Sequence, residues 1–160
     1  MQALTGSIAS SHVIKWLRAW YSEGMPDAID LEIVRQMLPS TPYGAGVREI
    51  KPPVEIIGDA FEGMLARDPD DHAVWGIAYN GKARRERQRF TIAHELGHFI
   101  LHRSQQPSFN CDSQSVHTGI DGLRQIEREA DEFASNLLMP GDLLREWISN
   151  QRIDLHVLSA

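Results

Sequence analysis

The motif H-E-x-x-H occurs as His94-Glu95-Leu96-Gly97-His98, inside the apolar stretch FTIAHELGHFILH. On a helix, residues four apart lie on the same face, with their Cβ atoms roughly 6 Å apart. Two neutral imidazoles at that spacing can bind one tetrahedral zinc ion. Glu95 lies about 100° around the helix from His94, where its carboxylate could take a proton from a water that the metal activates. The motif therefore predicts a catalytic metal site.

The residues around the motif favour this interpretation over the alternative, which is a chance pair of histidines on a buried helix face. Gly97 has no side chain and would let a second element approach the helix closely. The flanking positions are apolar and would bury the motif: Phe90, Ile92, Ala93, Leu96, Phe99 and Ile100. Because buried polar groups need partners, a shared metal explains three polar side chains in one apolar stretch.

A third ligand must come from outside the motif, because a catalytic zinc is usually held by three protein ligands. His102 follows His98 by four residues, but ligands at positions i, i+4 and i+8 would span roughly 12 Å of helix. No single ion reaches both ends of that span, so we expect His102 to be structural or to support a ligand from behind.

The later segment EREAD offers a better third ligand. Glu127 and Asp131 are four apart and therefore share a helix face, whereas Glu129 points away from Glu127. We favour Glu127 over Glu129 as the ligand, and we expect Asp131 to accept a hydrogen bond from a ligating histidine. The alternative is a solvated acidic face with Arg124 and Arg128 as neighbours.

Several segments must position these residues. Apolar residues at helical spacing predict helices in residues 8–22, 28–38, 82–103, 121–138 and 142–149. We expect Asp27 to cap the second helix, and Trp16 and Trp20 to lie in the core. Residues 39–53 and 104–120 have loop composition.

Residues 53–81 contain short apolar segments that predict two or three strands, with a turn at DPDD, residues 68–71. The expected fold class is α+β and helix-dominated, with a small antiparallel β-sheet packed on the motif helix. We expect one compact domain, divided into an N-terminal helical segment (1–52), a core (53–150) and a C-terminal tail (151–160).

Composition limits the classes of function. The formal net charge is −6, which argues against a sequence-independent grip on nucleic acid, so direct nucleic-acid binding is not expected. The single cysteine, Cys111, cannot form an internal disulfide. The N-terminus lacks the basic region and apolar core of a signal peptide. No stretch approaches the roughly 18 apolar residues of a membrane span. We therefore expect a cytoplasmic protein with no membrane contact.

RQRFTIAHELGHFILH followed by EREADEFASNLLMP resembles the ImmA/IrrE family of zinc metallo-endopeptidases. The resemblance runs from about Val54 to Pro140. It implies a zincin-like fold with gluzincin-like ligation, in which two histidines and a glutamate bind Zn²⁺. Carried over to this chain, the ligands are His94, His98 and Glu127, and the general base is Glu95.

The resemblance also implies a partner, because members of the family act on helix-turn-helix transcriptional repressors. We therefore expect a zinc-dependent endopeptidase that cleaves such a repressor or a similar regulatory partner. Many members continue past LLMP with a longer helical region, so we expect substrate recognition by such a region to be missing here or supplied by a partner. The alternative function is a non-hydrolytic metal-binding regulator, or a toxin–antitoxin component, that acts by protein binding.

Two further assignments stay open at this point. We expect Cys111 to be an incidental free thiol; the alternative is an inhibitory zinc ligand contributed by residues 104–120. Cys111 or His117 on the metal would favour the non-hydrolytic function, because a structural zinc closes all four positions with protein ligands. An oxyanion stabiliser is needed for amide hydrolysis, and His117, Tyr79 and His72 are candidates by residue type alone.

Overall fold

Five helices and five strands occur in the part of the chain that the computed structural model describes, residues 3–112 and 121–150. In chain order they are α1 (Gly6–Trp20), α2 (Leu31–Met37), β1 (Glu49–Ile50), β2 (Val54–Ile56), β3 (Phe61–Arg67), β4 (Val74–Asn80), α3 (Arg85–Leu101), β5 (Ser108–Asp112), α4 (Asp121–Leu138) and α5 (Gly141–Asn150). Two short 3-10 turns, 38–40 and 42–44, follow α2. The α+β, zincin-like class that the sequence predicts is confirmed.

Helix α1 packs against α4 through a stripe of residues four apart, Ala9, Val13 and Leu17, which are fully buried. The prediction for Trp20 is wrong, because its side chain is 65% exposed. Trp20 is the last residue of α1, where the helix ends and its side chain lies beyond the buried stripe. Trp16 is partly buried and packs edge-on against a tyrosine ring after α2.

Helix α2 begins later than predicted. The N-cap is Asp30, whose carboxylate accepts a hydrogen bond from the Glu32 amide at 2.9 Å, rather than Asp27. Arg35 is buried and donates to the Ile50 carbonyl and to Glu32. Because Ile50 belongs to β1, this guanidinium ties α2 to the edge of the sheet.

The sheet is mixed rather than antiparallel throughout. The strand order is β1–β4–β3–β5. Strand β2 also pairs with β4, at residues 78–80, whereas β1 pairs with residues 74–75 of the same strand. The pairs β3–β4 and β3–β5 are antiparallel, whereas β1 and β2 run parallel to β4. The reason is that β4 inserts between β2 and β3, which are neighbours only in sequence. The sequence pattern shows where strands occur but does not show their order in space.

Strand β5 lies inside the segment that was predicted to be a loop. It pairs with β3 so that Cys111 lies opposite Gly63 and Phe109 opposite Leu65. The register shifts between Phe61 and Gly63, which makes Glu62 an extra residue in β3. Such bulges bend a strand and re-aim its side chains, here next to Cys111.

Helix α3 lies between the sheet and α4. At the crossing of the two helices, a Cβ on Gly97 would lie 3.0 Å from the Phe133 ring and 3.2 Å from the Ala130 Cα. The absence of a side chain at Gly97 therefore permits the close approach that the sequence predicts. On the sheet side, Trp75 packs edge-on against Phe99 at 5.9 Å between ring centroids.

The N-terminal segment contacts the rest of the chain at several places: α1 lies on α4, α1 and α2 contact α3, and β1 joins the sheet. The boundary between residues 1–52 and 53–150 stays a prediction, and residues 151–160 lie outside the described part of the chain. Among the described helices, none is both long and apolar enough to cross a membrane.

We expect Gly63→Ala to lower the free energy of unfolding by about 1–3 kcal/mol, the usual cost of overpacking. The new Cβ would lie 2.4 Å from Thr91 Cγ2 and 2.8 Å from Glu95 Oε1, so β3 and α3 would have to separate. Urea denaturation measures this change. The matched control is Gly76→Ala in β4, where a Cβ meets no atom within 4 Å. Equal midpoints for the two variants would contradict the prediction.

Candidate metal centre

The structure brings three of the predicted site residues to one point. The Nε2 atoms of His94 and His98 lie 3.0 Å apart. Glu127 places Oε2 at 3.1 Å from His94 Nε2 and Oε1 at 3.2 Å from His98 Nε2. One turn of α3 supplies both imidazoles, and α4 crosses α3 so that Glu127 faces them.

These distances fit a tetrahedral divalent cation. Ligand atoms that bind zinc at about 2.0–2.1 Å in tetrahedral geometry are separated from one another by roughly 3.3 Å. The three separations between His94, His98 and Glu127 are 3.0, 3.1 and 3.2 Å. Two imidazoles and a carboxylate are also ligand types that zinc accepts. The two distances to Glu127 end at different oxygens of its carboxylate, so the residues present can hold such an ion with both oxygens or after a small rotation of that carboxylate.

Cys111 joins the same cluster. Its Sγ lies 3.3 Å from His94 Nε2, 3.8 Å from His98 Nε2 and 3.6 Å from Glu127 Oε2. All four ligand atoms lie within 4.8 Å of one another. The structure thus places this thiol among the candidate ligands, where the sequence favoured an incidental thiol.

A signal for this placement exists in the sequence but is weak. In SFNCD, residues 108–112, Phe109 and Cys111 are two apart and would face the same side of a strand. The structure shows that shared side: the Phe109 ring stacks on the His98 imidazole at 4.7 Å between centroids. Five residues among polar neighbours are too few to distinguish a strand from a loop by pattern alone.

The second nitrogen of His94 is bound by Asp131, as the sequence predicts for a supporting carboxylate. His94 Nδ1 and Asp131 Oδ1 are 2.8 Å apart. Because an ionised carboxylate only accepts, Nδ1 carries the proton. His94 Nε2 points into the cluster and is the nitrogen available to a metal, which would displace a second proton from the ring. The tautomer with the proton on Nδ1 is the one that a metal ligand requires.

A parallel chain of hydrogen bonds lies behind His98. His102 Nε2 donates to Glu129 Oε2 at 2.9 Å, which leaves His102 Nδ1 as an acceptor. His98 Nδ1 lies 3.1 Å from that acceptor and donates to it. His98 Nε2 is left with its lone pair toward the cluster. Glu129, weighed above as an alternative ligand, instead orients the second histidine through His102, a link that sequence reasoning missed.

Glu95 is fully buried, and its two carboxylate oxygens have no hydrogen-bond partner among the described residues. Burial raises the pKa of Glu95 to about 8, although the nearby His94 opposes this shift. A carboxylate with a pKa near neutrality can both accept and release a proton at working pH. Glu95 is thus the group of this site best suited to proton transfer.

Burial and hydrogen bonds have opposing effects on the pKa values of the other ionisable groups in the cluster. Burial favours the neutral form of His94, but hydrogen bonds to Asp131 and Glu127 outweigh burial and raise its pKa to about 9. Burial would raise the pKa of Glu127, but hydrogen bonds from the two imidazoles hold it well below its usual range. Burial lowers the pKa of His98. The proton on His94 and the carboxylates of Glu127 and Asp131 therefore interact at the point where a cation could bind.

Burial, together with the charges of Glu95 and Glu127, raises the pKa of the Cys111 thiol. These neighbours favour the protonated thiol as long as no positive charge is present. A divalent cation reverses that preference, because a coordinating thiol is deprotonated outright. The groups of the cluster are therefore suited to bind a cation.

A cavity of about 400 Å³ opens beside the cluster. Its walls include His94, Glu95 and Glu127, together with apolar residues. A larger cavity of about 840 Å³ lies between the end of α1 and α5, and none of the candidate ligands lines it. Of the three oxyanion candidates, Tyr79 and His72 do not line the cavity beside the cluster, and His117 lies outside the described residues.

Comparison with known proteins assigns the family. Residues 54–160 match the family model described as the IrrE N-terminal-like domain. The chain belongs to this family. The match includes both α3 and α4, so the candidate ligands on those helices lie within the segment that defines the IrrE-like domain.

Two relatives of this IrrE-like chain are named radiation response metalloprotease IrrE. The protein from Deinococcus deserti is 36% identical over 85 residues, which are 52% of this chain and 28% of the relative. The protein from Deinococcus radiodurans is 35% identical over 86 residues, which are 52% of this chain and 24% of the relative. The matched segment thus spans about a quarter of the length of each relative.

We expect Asp131→Ala and Glu129→Ala each to weaken zinc binding by roughly 10- to 100-fold, the usual effect of removing a group that orients a ligand. The physical reason is that each change frees one imidazole to rotate or to take the other tautomer. Competition with a chromophoric chelator measures the affinity, and circular dichroism confirms the fold. Glu132→Ala is the matched control, since Glu132 is an exposed residue of α4. Affinities equal to that of the control would contradict the assignment.

Proposed function

We propose that this chain is a zinc-dependent metallo-endopeptidase of the ImmA/IrrE type. The observation that carries the proposal is the buried Glu95 carboxylate, which lacks a partner among the described residues and lines a cavity beside two imidazoles and a carboxylate at ligand spacing. Membership in the IrrE-like family and the name metalloprotease of both relatives support it.

In this mechanism His94, His98 and Glu127 would hold the ion, and Asp131 and Glu129 would keep the two imidazoles in the binding tautomer. When bound, the metal polarises the peptide carbonyl and makes water more acidic. The Glu95 carboxylate accepts the proton that the attacking water loses, and then transfers it to the leaving amine. Phe90, Phe109, Leu123 and Ile126 supply the apolar part of the cavity walls, beside mostly polar and charged residues.

Zinc is the ion that this ligand set favours. Imidazole suits zinc as well as other transition metals, and a carboxylate is compatible with zinc, manganese or iron. The separations of 3.0, 3.1 and 3.2 Å between the candidate ligand atoms are close to the roughly 3.3 Å of a tetrahedral zinc site, which supports zinc.

The proposed substrate is a helix-turn-helix transcriptional repressor or a similar regulatory protein. The resemblance to the ImmA/IrrE family is the ground for this part of the proposal. Since such repressors act on DNA inside the cell, we also propose the cytoplasm as the location.

A second function is favoured by one specific observation, the position of Cys111. A site with four protein ligands is typical of structural zinc, and such a protein would act by binding a regulator rather than by hydrolysis. Glu95 favours hydrolysis instead, because it is buried without a hydrogen-bond partner among the described residues, and a purely structural site gains nothing from an isolated carboxylate whose burial is unfavourable.

We expect Glu95→Gln to retain zinc and fold but to lower the cleavage rate by at least about 100-fold, the lower limit for loss of a general base. Mass spectrometry of a proteome-derived peptide library detects the cleavage, and elemental analysis measures the zinc. Glu86→Gln is the matched control, an identical change at an exposed position in the first turn of α3. Undiminished cleavage by Glu95→Gln would refute the mechanism.

A further inference from the structure

We infer that Cys111 is a fourth metal ligand in the resting protein, and that its thiolate occupies the coordination position that hydrolysis needs for water. The first half of this inference concerns the metal site alone. The second half rests on the proposed peptidase function.

The position of Sγ matches the remaining corner of a tetrahedron. With metal–sulfur and metal–nitrogen distances of about 2.3 and 2.0–2.1 Å, a sulfur ligand lies roughly 3.5 Å from each neighbouring ligand atom. The observed separations are 3.3 Å to His94, 3.6 Å to Glu127 and 3.8 Å to His98. They lie on both sides of the expected value, and Glu127 Oε1 is 3.9 Å from Sγ, so the thiol is placed to complete the ligand set.

The backbone holds Cys111 at this corner. Its strand, β5, pairs with β3, and the extra residue at Glu62 in β3 lies next to the Cys111–Gly63 pair. Gly63 in turn lies so close to Thr91 and Glu95 that an added Cβ would clash with both. The distance between the sheet and α3 is thereby set by close packing, and this distance determines how far Sγ reaches toward the histidines.

Glu95 provides an independent observation about the same corner. Its carboxylate is fully buried, has no partner among the described residues and lines the same cavity as Cys111. A closed structural site does not require such a group, whereas a hydrolytic site does. Cys111 and Glu95 together describe one site whose fourth coordination position has two uses. The Cys111 sulfur occupies this position in the resting form, and water occupies it in the active form.

Opening the site is a ligand exchange and needs no oxidant. The metal–sulfur bond breaks, the thiolate keeps the electron pair and takes up a proton, and a water molecule enters the coordination sphere. Cys111 is the single cysteine of the chain, so no internal disulfide can hold the thiol in the displaced position.

X-ray absorption spectroscopy of the zinc-loaded full chain tests the first half. We expect one sulfur at about 2.3 Å in the wild type, and only nitrogen and oxygen ligands in Cys111→Ser. Cobalt-loaded protein should correspondingly show a thiolate charge-transfer band that Cys111→Ser lacks. Ser108→Ala, an exposed position on the same strand, should keep the sulfur signal. A wild-type spectrum with nitrogen and oxygen alone overturns the inference, and this measurement does not depend on the folding of any variant.

Peptide cleavage tests the second half. If the open form is a minor state of 10% or less, removing the sulfur should raise the cleavage rate of the peptide library by at least about tenfold. We expect this increase for zinc-loaded Cys111→Ala, and we expect Glu95→Gln to abolish it in the double variant. An unchanged or lower rate in Cys111→Ala, measured at equal zinc content, overturns the regulatory role of the thiol.

The two measurements separate this inference from the proposed function. A sulfur ligand in the wild type without cleavage by Cys111→Ala would retain the four-ligand site and refute the peptidase, which leaves the binding function. Cleavage that depends on Glu95, in a protein whose zinc has no sulfur ligand, would retain the peptidase and refute the inference about Cys111.

Discussion

The close crossing of α3 and α4 is the constraint on which the site depends. The histidine pair can contribute two ligands from one helical turn, but the third must come from another element that lies near enough for a carboxylate to reach. Gly97 permits that distance, because its missing Cβ leaves room for Ala130 and Phe133. Glu127 precedes Ala130 by three residues, nearly one turn, so the contact that joins the helices also places the carboxylate over the imidazoles.

Three carboxylates of α4 then determine three properties of the site. Glu127 lies at ligand distance from both histidines, Asp131 binds the rear nitrogen of His94, and Glu129 reaches His98 through His102. All three carboxylates move together because they belong to one helix. A small rotation of α4 would therefore change the third ligand and both tautomers at once. This coupling explains why a region remote from the cavity, such as the packing of α1 on α4, can influence the chemistry.

The parts of this fold that sequence could predict are those set by local periodicity. The limits of α4 match the prediction to the residue, and the shared face of Glu127 and Asp131 follows from their four-residue spacing. The parallel pairing of β2 with β4 could not be predicted, because it depends on which strand inserts between neighbours in the chain. Cys111 was misjudged for the same reason: its proximity to His94 arises from the pairing of β5 with β3, a contact between segments about fifty residues apart. The spacing of residues in a helix shows which side chains share a face, because that depends only on one turn. The order of strands in a sheet depends on how the whole chain folds.

The origin of each ligand bears on how such a site could open. The imidazoles and Glu127 come from two helices joined by close packing, whereas Sγ comes from a strand. Metal–ligand distances tolerate only about ±0.2 Å. A displacement of Cys111 Sγ on the order of 1 Å would thus break a metal–sulfur bond, and it requires no separation of β5 from the closely packed α3. Were all four ligands on helices, releasing one would disturb the others. A thiol carried by the sheet is therefore suited to leave alone, and the cavity beside it lies where the substrate would enter.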